Sequence, residues 1–291
     1  MSHQFDLGVY GGDLRQVYMI TSLLKLGYRI ATYCIAEPVK DENCTMVSTL
    51  TELFEGCRVL IGPVPMSRDQ FSILSKNPAG DLTIAHVAYL IKKHHILVGG
   101  NIPAPITDIC NKWNTPCFDL MKDEQITILN AIATAEGTIM EAIQTGSSNL
   151  HGSDCLVLGY GRCAKVLAAK LKALDAGVTI AARSQEARAY AVAAGHQSVP
   201  LSELSQILPS FSFIFNTIPQ LILAKAQLDL VHPQVTIIDI ASAPGGVDFD
   251  YAKHLNITAK LCLGLPGKVA PLSSGEILAA GIHSFLLERS D

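Results

Sequence analysis

Charge is scarce in this chain. Only 16% of its 291 residues are Asp, Glu, Lys or Arg, against 49% that are apolar. That balance excludes a disordered or fibrous chain and suits parallel sheets buried on both faces. Basic runs are missing too: 22 Lys and Arg are scattered among 26 Asp and Glu, for a net charge of −4. Neither a nucleic-acid footprint nor a polybasic membrane patch is expected. The eight cysteines (Cys34, Cys44, Cys57, Cys110, Cys117, Cys155, Cys163 and Cys262) form no CxxC pair and no Cys/His group at zinc spacing. Reduced thiols and no metal are the expectation. No apolar run approaches the ~18–20 residues of a membrane span. The opening MSHQFDLGVYGGD lacks the cationic and apolar regions of a signal peptide, so a cytoplasmic setting is expected. A GxSxG elbow is absent, as is a Ser-His-Asp order.

What is present is alternation. Short apolar runs (FDLGVY, YRIATYCI, CRVLIGP, HILVGG, PCFDL) are interleaved with helical stretches up to residue 118, and a second alternation starts at DCLVL and continues through VTIAA, FSFIFN, VTIIDI and AKLCL. Strand-helix alternation signals parallel sheets covered by helices. The expected fold is α/β: two Rossmann-like, doubly wound parallel-sheet domains. Residues 1–122 form a substrate domain and 149–270 a nucleotide domain. Residues 123–148 read as a crossing helix whose apolar stripe is Ile126, Leu129, Ile132, Ile139 and Ile143. Residues 271–291 read as a return helix, with Ser273 and Glu276 at capping-box spacing. Two such crossings would leave a hinged cleft for a ligand.

The strongest motif is Gly159-Tyr160-Gly161-Arg162-Cys163-Ala164, a G-x-G-x-x-A turn between a strand and a helix. Its first glycine permits the tight turn, the second admits a pyrophosphate to the backbone amides, and Ala164 lets helix and strand pack closely. About twenty residues on, where an NAD site carries an acid for the ribose hydroxyls, stand Arg183 and Ser184. A guanidinium and a hydroxyl suit an added 2′-phosphate, so NADP is expected in preference to NAD. Asn216, Thr217, Pro219 and Ala241 follow later strands, at the carboxyl edge where ligands of open sheets bind.

In the first domain Gly11, Gly12 and Asp13 make a strand-helix turn without the dinucleotide register, and Asp13 with Gln16 reads as a capping box. The glycine amides and Arg15 could hold a carboxylate, with Val64 and Pro65 after the next strand beside them. Glu136 falls on the expected apolar stripe of the crossing helix, where a carboxylate must be paired, protonated or employed. Gly137 beside it implies a close approach. Thr134 lies on the neighbouring face, and Lys268 follows the last strand as a possible anion binder. His94, His95 and His151 precede strands, at the wrong end for chemistry, and His94 and His95 are expected to be exposed.

Together GGDLRQ, TAEGTIMEAIQ, HGSDCLVLGYGR, FNTIP, DIASAPGGVDF and GLPGKVAPLSSGEILA resemble the A-subunit family of dipicolinate synthase, found in endospore-forming bacteria. The likeness runs from Gly11 to the closing helix and is thinnest over residues 37–60 and 66–120. It implies NADP-dependent oxidation of dihydrodipicolinate, or of a hydroxylated tetrahydro precursor, to the aromatic pyridine dicarboxylate stored in spores. It also implies partnership with a flavoprotein-like B subunit, in the mother cell. A small dicarboxylate ligand and a homo-oligomeric state complete the expectation. Glu136 is the candidate for proton transfer or substrate orientation, Arg15 and Lys268 for carboxylate anchoring. A nucleotide-loaded scaffold or redox sensor serving the B subunit is the rival reading, and a hydrolase that recycles bound cofactor is a third.

Overall fold

A computed structural model describes residues 4–289. The first sheet has six parallel strands, β1 (Phe5–Tyr10), β2 (Ile30–Tyr33), β3 (Cys44–Met46), β4 (Cys57–Ile61), β5 (Ile96–Gly99) and β6 (Cys117–Asp119), in the order β3-β2-β1-β4-β5-β6. Helices α1 (Leu14–Lys25), α2 (Leu50–Gly56), α3 (Ile84–Leu90) and α4 (Ala104–Trp113) make the crossovers, and α5 (Glu124–Thr145) leads out. The second sheet holds β7 (Asp154–Leu158), β8 (Gly177–Ala182), β9 (Gln197–Pro200), β10 (Phe213–Asn216), β11 (Thr236–Asp239) and β12 (Thr258–Leu261), in the order β12-β11-β10-β7-β8-β9. Around it lie α6 (Arg162–Ala173), α7 (Gln185–Ala193), α8 (Leu204–Ile207), α9 (Lys225–Leu228), α10 (Phe249–His254) and α11 (Leu265–Val269), before α12 (Pro271–Leu287) closes the chain. Both sheets reverse their strand order at one place, between β1 and β4 and between β7 and β10. That reversal is where open α/β sheets bind ligands.

Two compact units result, one running to Leu129 and including the segment from Ala270 onward, the other spanning Asn130–Val269. Each sheet is apolar on both faces. In β1, Leu7 and Val9 enter one core with Met19, Ile61 and Leu278, while Tyr10 enters the opposite one with Phe54 and Leu60. Burying each large aliphatic side chain stabilises by roughly 1.5–3 kcal/mol, which is why the strands read as continuous apolar runs rather than alternations.

Of the expected stripe of large residues, Ile126 is buried and Ile139 partly buried, but the helix from Glu124 otherwise buries a face that stripe did not foretell. Ala131, Ala135, Thr138 and Ala142 are buried, whereas Leu129, Ile132 and Ile143 are 38%, 41% and 60% exposed. Small residues let neighbouring backbones approach closely, so alanine rather than isoleucine marks the packed side. Among the described residues α5 is the one helix long and apolar enough to cross a membrane, but half of that window is buried in the protein. It also carries the ion-paired carboxylates Glu136 and Glu141.

The capping box expected at Ser273 and Glu276 is not used. The helix begins at Pro271, with Ala270 as an N-cap that makes no side-chain hydrogen bond. Proline suits this first position because it has no N–H to leave unsatisfied. Within the first unit α12 lies on α1 so tightly that a Cβ at Gly275 would stand 2.7 Å from the Arg15 carbonyl oxygen and 2.9 Å from the Met19 nitrogen. Tyr28 Oη and His283 Nδ1 lie 2.9 Å apart, and Phe118 stacks on Phe285 with ring centroids 4.2 Å apart. Backbone atoms cannot rotate away, so Gly275→Ala should lower the unfolding free energy by about 1–3 kcal/mol in urea titrations.

Candidate functional site

The carboxyl end of β7 turns at Gly159, whose φ of +92° is a conformation side chains resist. Its N–H donates to the Ala181 carbonyl at 2.9 Å, and a Cβ there would lie 2.6 Å from Thr217 Oγ1. Gly161 is the N-cap of α6 and makes no side-chain capping bond, and the space its Cβ would occupy is open for 4 Å. A helix start without a side-chain cap, facing open space after a tight glycine turn, has a geometry that can receive an anion. Ala164 is fully buried, so the helix can reach the sheet.

Thr134 of α5 is brought to this turn, where its hydroxyl meets the Cys163 thiol. Burial pushes that thiol up, against the Arg162 charge and the Thr134 bond. The Lys165 ammonium lies 5.8 Å from the Tyr160 ring centroid and 5.3 Å from that of Tyr190, linking the turn to α7. Arg183 and Ser184 are exposed at the end of β8. Ser184 Oγ accepts the Ala187 N–H at 3.3 Å as N-cap of α7. Beside them stands Arg188, which no motif in the sequence singled out: its Nη1 donates to the carbonyls of Ala182 at 2.9 Å and Arg183 at 2.8 Å. Its spacing, four residues after the N-cap, was a usable signal, because that places it one helical turn above the turn itself.

Asn216 and Ala241, expected to touch a cofactor, are corrected. Asn216 is fully buried. Its Nδ2 donates to Ile218 O and to Asp239 Oδ1, both at 3.0 Å, and its Oδ1 accepts from Ile218 N. Ala241 is 5% exposed and gives its N–H to Asp239 Oδ1 at 2.9 Å. Both residues are consumed in shaping loops, because buried polar groups must be satisfied internally. The centre of that network is Asp239, fully buried, whose Oδ2 also accepts the Gly246 N–H at 2.6 Å. Burial raises its carboxyl above the ordinary value, against the three hydrogen bonds. What these loops leave open is Thr217, half-buried beside Gly159, and Pro219, exposed.

The turn of the first unit is closed rather than open. Gly11 N–H donates to Tyr33 O and Gly12 N–H to Leu74 O, so the expected carboxylate cradle has no free glycine amide. The expected capping box is present: Asp13 accepts the Arg15 N–H at 3.0 Å, while its own N–H is held by Gln16 Oε1 at 3.0 Å. Arg15 is only 3% exposed. Its Nε and Nη2 clamp Asp13 at 2.9 and 2.8 Å, and Nη2 also donates to the Val64 carbonyl ahead of the cis Val64–Pro65 bond. The guanidinium charge is therefore neutralised inside the protein, which corrects Arg15 as a free carboxylate anchor. Arg68, exposed and near enough to act on Asp13, is the cation this edge presents to solvent.

Glu136 is corrected as well. It is exposed, with its side chain 55% accessible, and pairs with Lys170 of α6 at 2.9 Å. The buried carboxylate of α5 is Glu141, further along the helix, which pairs with Lys260. Gly137 is where α11 crosses, its Cβ position 3.1 Å from Leu265 Cβ. Lys268 is exposed at the end of α11. Burial pushes the nearby Cys262 thiol up to about 11, with Lys260 and Lys268 opposing. His94 is exposed, but His95 is 2% exposed and bonds Phe54 O and Lys92 N through its two ring nitrogens, as a core histidine does. His151 lies on the surface against Asp175.

The comparison with known proteins decides the family. The chain is 32% identical over 287 residues to the A subunit of dipicolinate synthase from Bacillus subtilis (strain 168), covering 97% of this chain and 96% of the relative. It belongs to the dipicolinate synthase A-subunit family. The model of that family's N-terminal domain matches residues 6–121. The crystal structure of the dipicolinate synthase A subunit from Bacillus halodurans superposes with a TM-score of 0.89 at 30% identity, covering 98% of this chain and 99% of that one. The A chain from Bacillus subtilis gives 0.87 at 30%, covering 99% and 97%. More distant solved folds, at 11–15% identity, include a transhydrogenase and dehydrogenases, and speak to the fold alone.

Substitution tests both buried carboxylate networks. Replacing Asp239 by Asn sets an amide N–H against one of the three donors, and should cost about 1–3 kcal/mol in chemical unfolding. For Asp13, burial pushes the carboxyl upward, but the bonds and charge of Arg15, with Arg68, outweigh it and hold it below its ordinary 3.8. A depressed carboxyl stabilises fully above the unfolded value and loses that contribution as pH falls through the folded one. Acid unfolding of wild type should therefore be steeper below 3.8 than that of Asp13→Asn. Asp13→Ala, which strands a buried guanidinium, should cost about 3–5 kcal/mol at neutral pH.

Proposed function

We propose that this chain is the NADP-dependent oxidoreductase subunit that converts dihydrodipicolinate, or its hydroxylated tetrahydro precursor, to dipicolinate, working with a B subunit during sporulation. The observation that carries the reading is the pairing of a glycine turn without a side-chain cap at α6 with exposed Arg183 and Ser184 directly after β8. The amides at the start of α6 would hold the pyrophosphate, and Gly161 leaves room for it. Arg183 and Ser184 would hold the 2′-phosphate, because a guanidinium fork matches phosphate oxygens whereas a carboxylate there would repel them. Thr217 and Pro219 would border the nicotinamide end. Bound NADP supplies a hydride acceptor: dihydrodipicolinate becomes aromatic by losing a hydride to it together with a proton, and the hydroxylated tetrahydro precursor must first lose its hydroxyl as water to reach that dihydro level.

On the substrate side, Arg68, exposed beside the closed turn of the first unit, has the charge that suits a carboxylate of the ligand; Lys268, exposed in the second unit, is a cation of the same kind. Arg15 contributes indirectly by fixing the Val64–Pro65 loop. The family supports a heteromeric setting with a B subunit; a cytoplasmic location and a homo-oligomeric state of this chain complete the proposal, and sedimentation with and without the B subunit would read out the assembly.

Purified chain mixed with substrate and NADP, with and without B subunit, tests the activity. NADPH absorbance without B places catalysis in this chain, and absorbance only with B makes it a nucleotide-loaded partner. Arg183→Ala should weaken NADP at least about tenfold, the size of one charged hydrogen bond, and leave NAD binding unchanged. Since Glu136 is paired on the surface, Glu136→Gln should leave turnover within about twofold and stability within about 1 kcal/mol, the worth of an exposed ion pair.

A further inference from the structure

We infer that Arg188 is a second determinant of cofactor choice, acting with Arg183 to recognise the 2′-phosphate of the adenosine ribose. The inference rests on the NADP reading above and names a residue that reading does not use. Arg188 sits in the first turn of α7, half-buried. One of its terminal nitrogens bridges two successive carbonyls, Ala182 O at 2.9 Å and Arg183 O at 2.8 Å. Those carbonyls belong to the last residue of β8 and the first residue beyond it, where the ribose of a dinucleotide lies in this fold. The bridge does two things. It fixes the backbone from which the Arg183 side chain springs, and it parks a positive charge at the strand end with Nε and Nη2 still able to donate.

The surroundings point the same way. Ser184 Oγ accepts the Ala187 N–H and keeps its own proton for a phosphate oxygen. The nine-residue helix α7 directs its positive end at the same spot. Glu186 is the one acid in its first turn, so two guanidinium groups outnumber a single carboxylate. Lys165, lying over the Tyr160 and Tyr190 rings, joins α7 to the glycine turn and keeps the two halves of the nucleotide site in register. A guanidinium whose only task was to hold a loop would have no need of a companion arginine five residues earlier. Here Arg188 places a guanidinium at the turn from which exposed Arg183 projects, and a dianionic phosphoryl group is the ligand that matches two such forks.

The test uses adenosine 2′,5′-bisphosphate and adenosine 5′-monophosphate, which differ only in the 2′-phosphate and carry no nicotinamide. Binding to the full-length chain is measured by calorimetry, alongside thermal unfolding. Wild type should prefer the bisphosphate. Arg188→Ala should reduce that preference at least about tenfold with the monophosphate unchanged. Arg188→Gln keeps a polar amide on the same turn of α7, too short to span both carbonyls, and removes the charge. It should unfold like wild type and still lose the preference, which separates recognition from loop support if the alanine variant folds poorly. Equal loss of both ligands, or a glutamine variant that retains wild-type preference, overturns the inference. A wild-type chain that binds both probes equally would overturn the NADP reading and this inference with it, leaving Arg188 as a support of the loop after β8.

Discussion

A parallel strand cannot hairpin back to its neighbour; it must return through a crossover, and the handedness of that crossover is nearly fixed. The chain can fill both flanks of a sheet only by reversing direction once, and at the reversal two adjacent strand ends send their loops to opposite faces. Everything chemical in this protein is built on that constraint. It happens twice, between β1 and β4 and between β7 and β10. Each time it leaves two strand ends side by side, edged by whatever residues follow the strands.

The two edges are furnished differently, and the difference is one of hydrogen-bond accounting. In the first unit the amides of Gly11 and Gly12 are taken by backbone carbonyls, and the arginine next to them is neutralised by the aspartate of its own capping box. That edge is a rigid support which shows solvent its outer cation, Arg68. In the second unit the start of α6 has no cap and the space over Gly161 is open. Nearby, a buried Asp239 gathers an amide side chain and two backbone N–H groups, so the loops after β10 and β11 are held without using the donors of the glycine turn. Satisfied polar groups stiffen the first turn, whereas the second keeps a helix start with no side-chain cap and open space over Gly161.

Most strands were legible because parallel sheets bury both faces and leave unbroken apolar runs. The edge strands β3 and β9 were not, since Cys44–Met46 and Gln197–Pro200 are short and have little buried on either side. The crossing helix was legible in extent but not in phase. Periodicity was right for Ile126 and partly for Ile139 but wrong for Leu129, Ile132 and Ile143, because close packing against α11 selected alanine and Gly137. That phase error placed Glu136 inside, when it is Glu141 that the helix buries. His95 was misplaced for a similar reason: nothing local announces that its ring will find two backbone partners.

The amino-acid sequence by itself determined the class of fold, the glycine turn before α6 and the residues at the end of β8, because each depends on a few consecutive residues and on backbone conformations that only certain types tolerate. Which donors remain free was decided by tertiary structure. Tyr33 and Leu74 close the first turn from other strands and loops, Val64 takes up Arg15, and Arg188 reaches back over a helical turn to two carbonyls. A residue's chemical type is written locally, but its availability depends on partners far away in the chain, and those partners meet only when the sheets have formed.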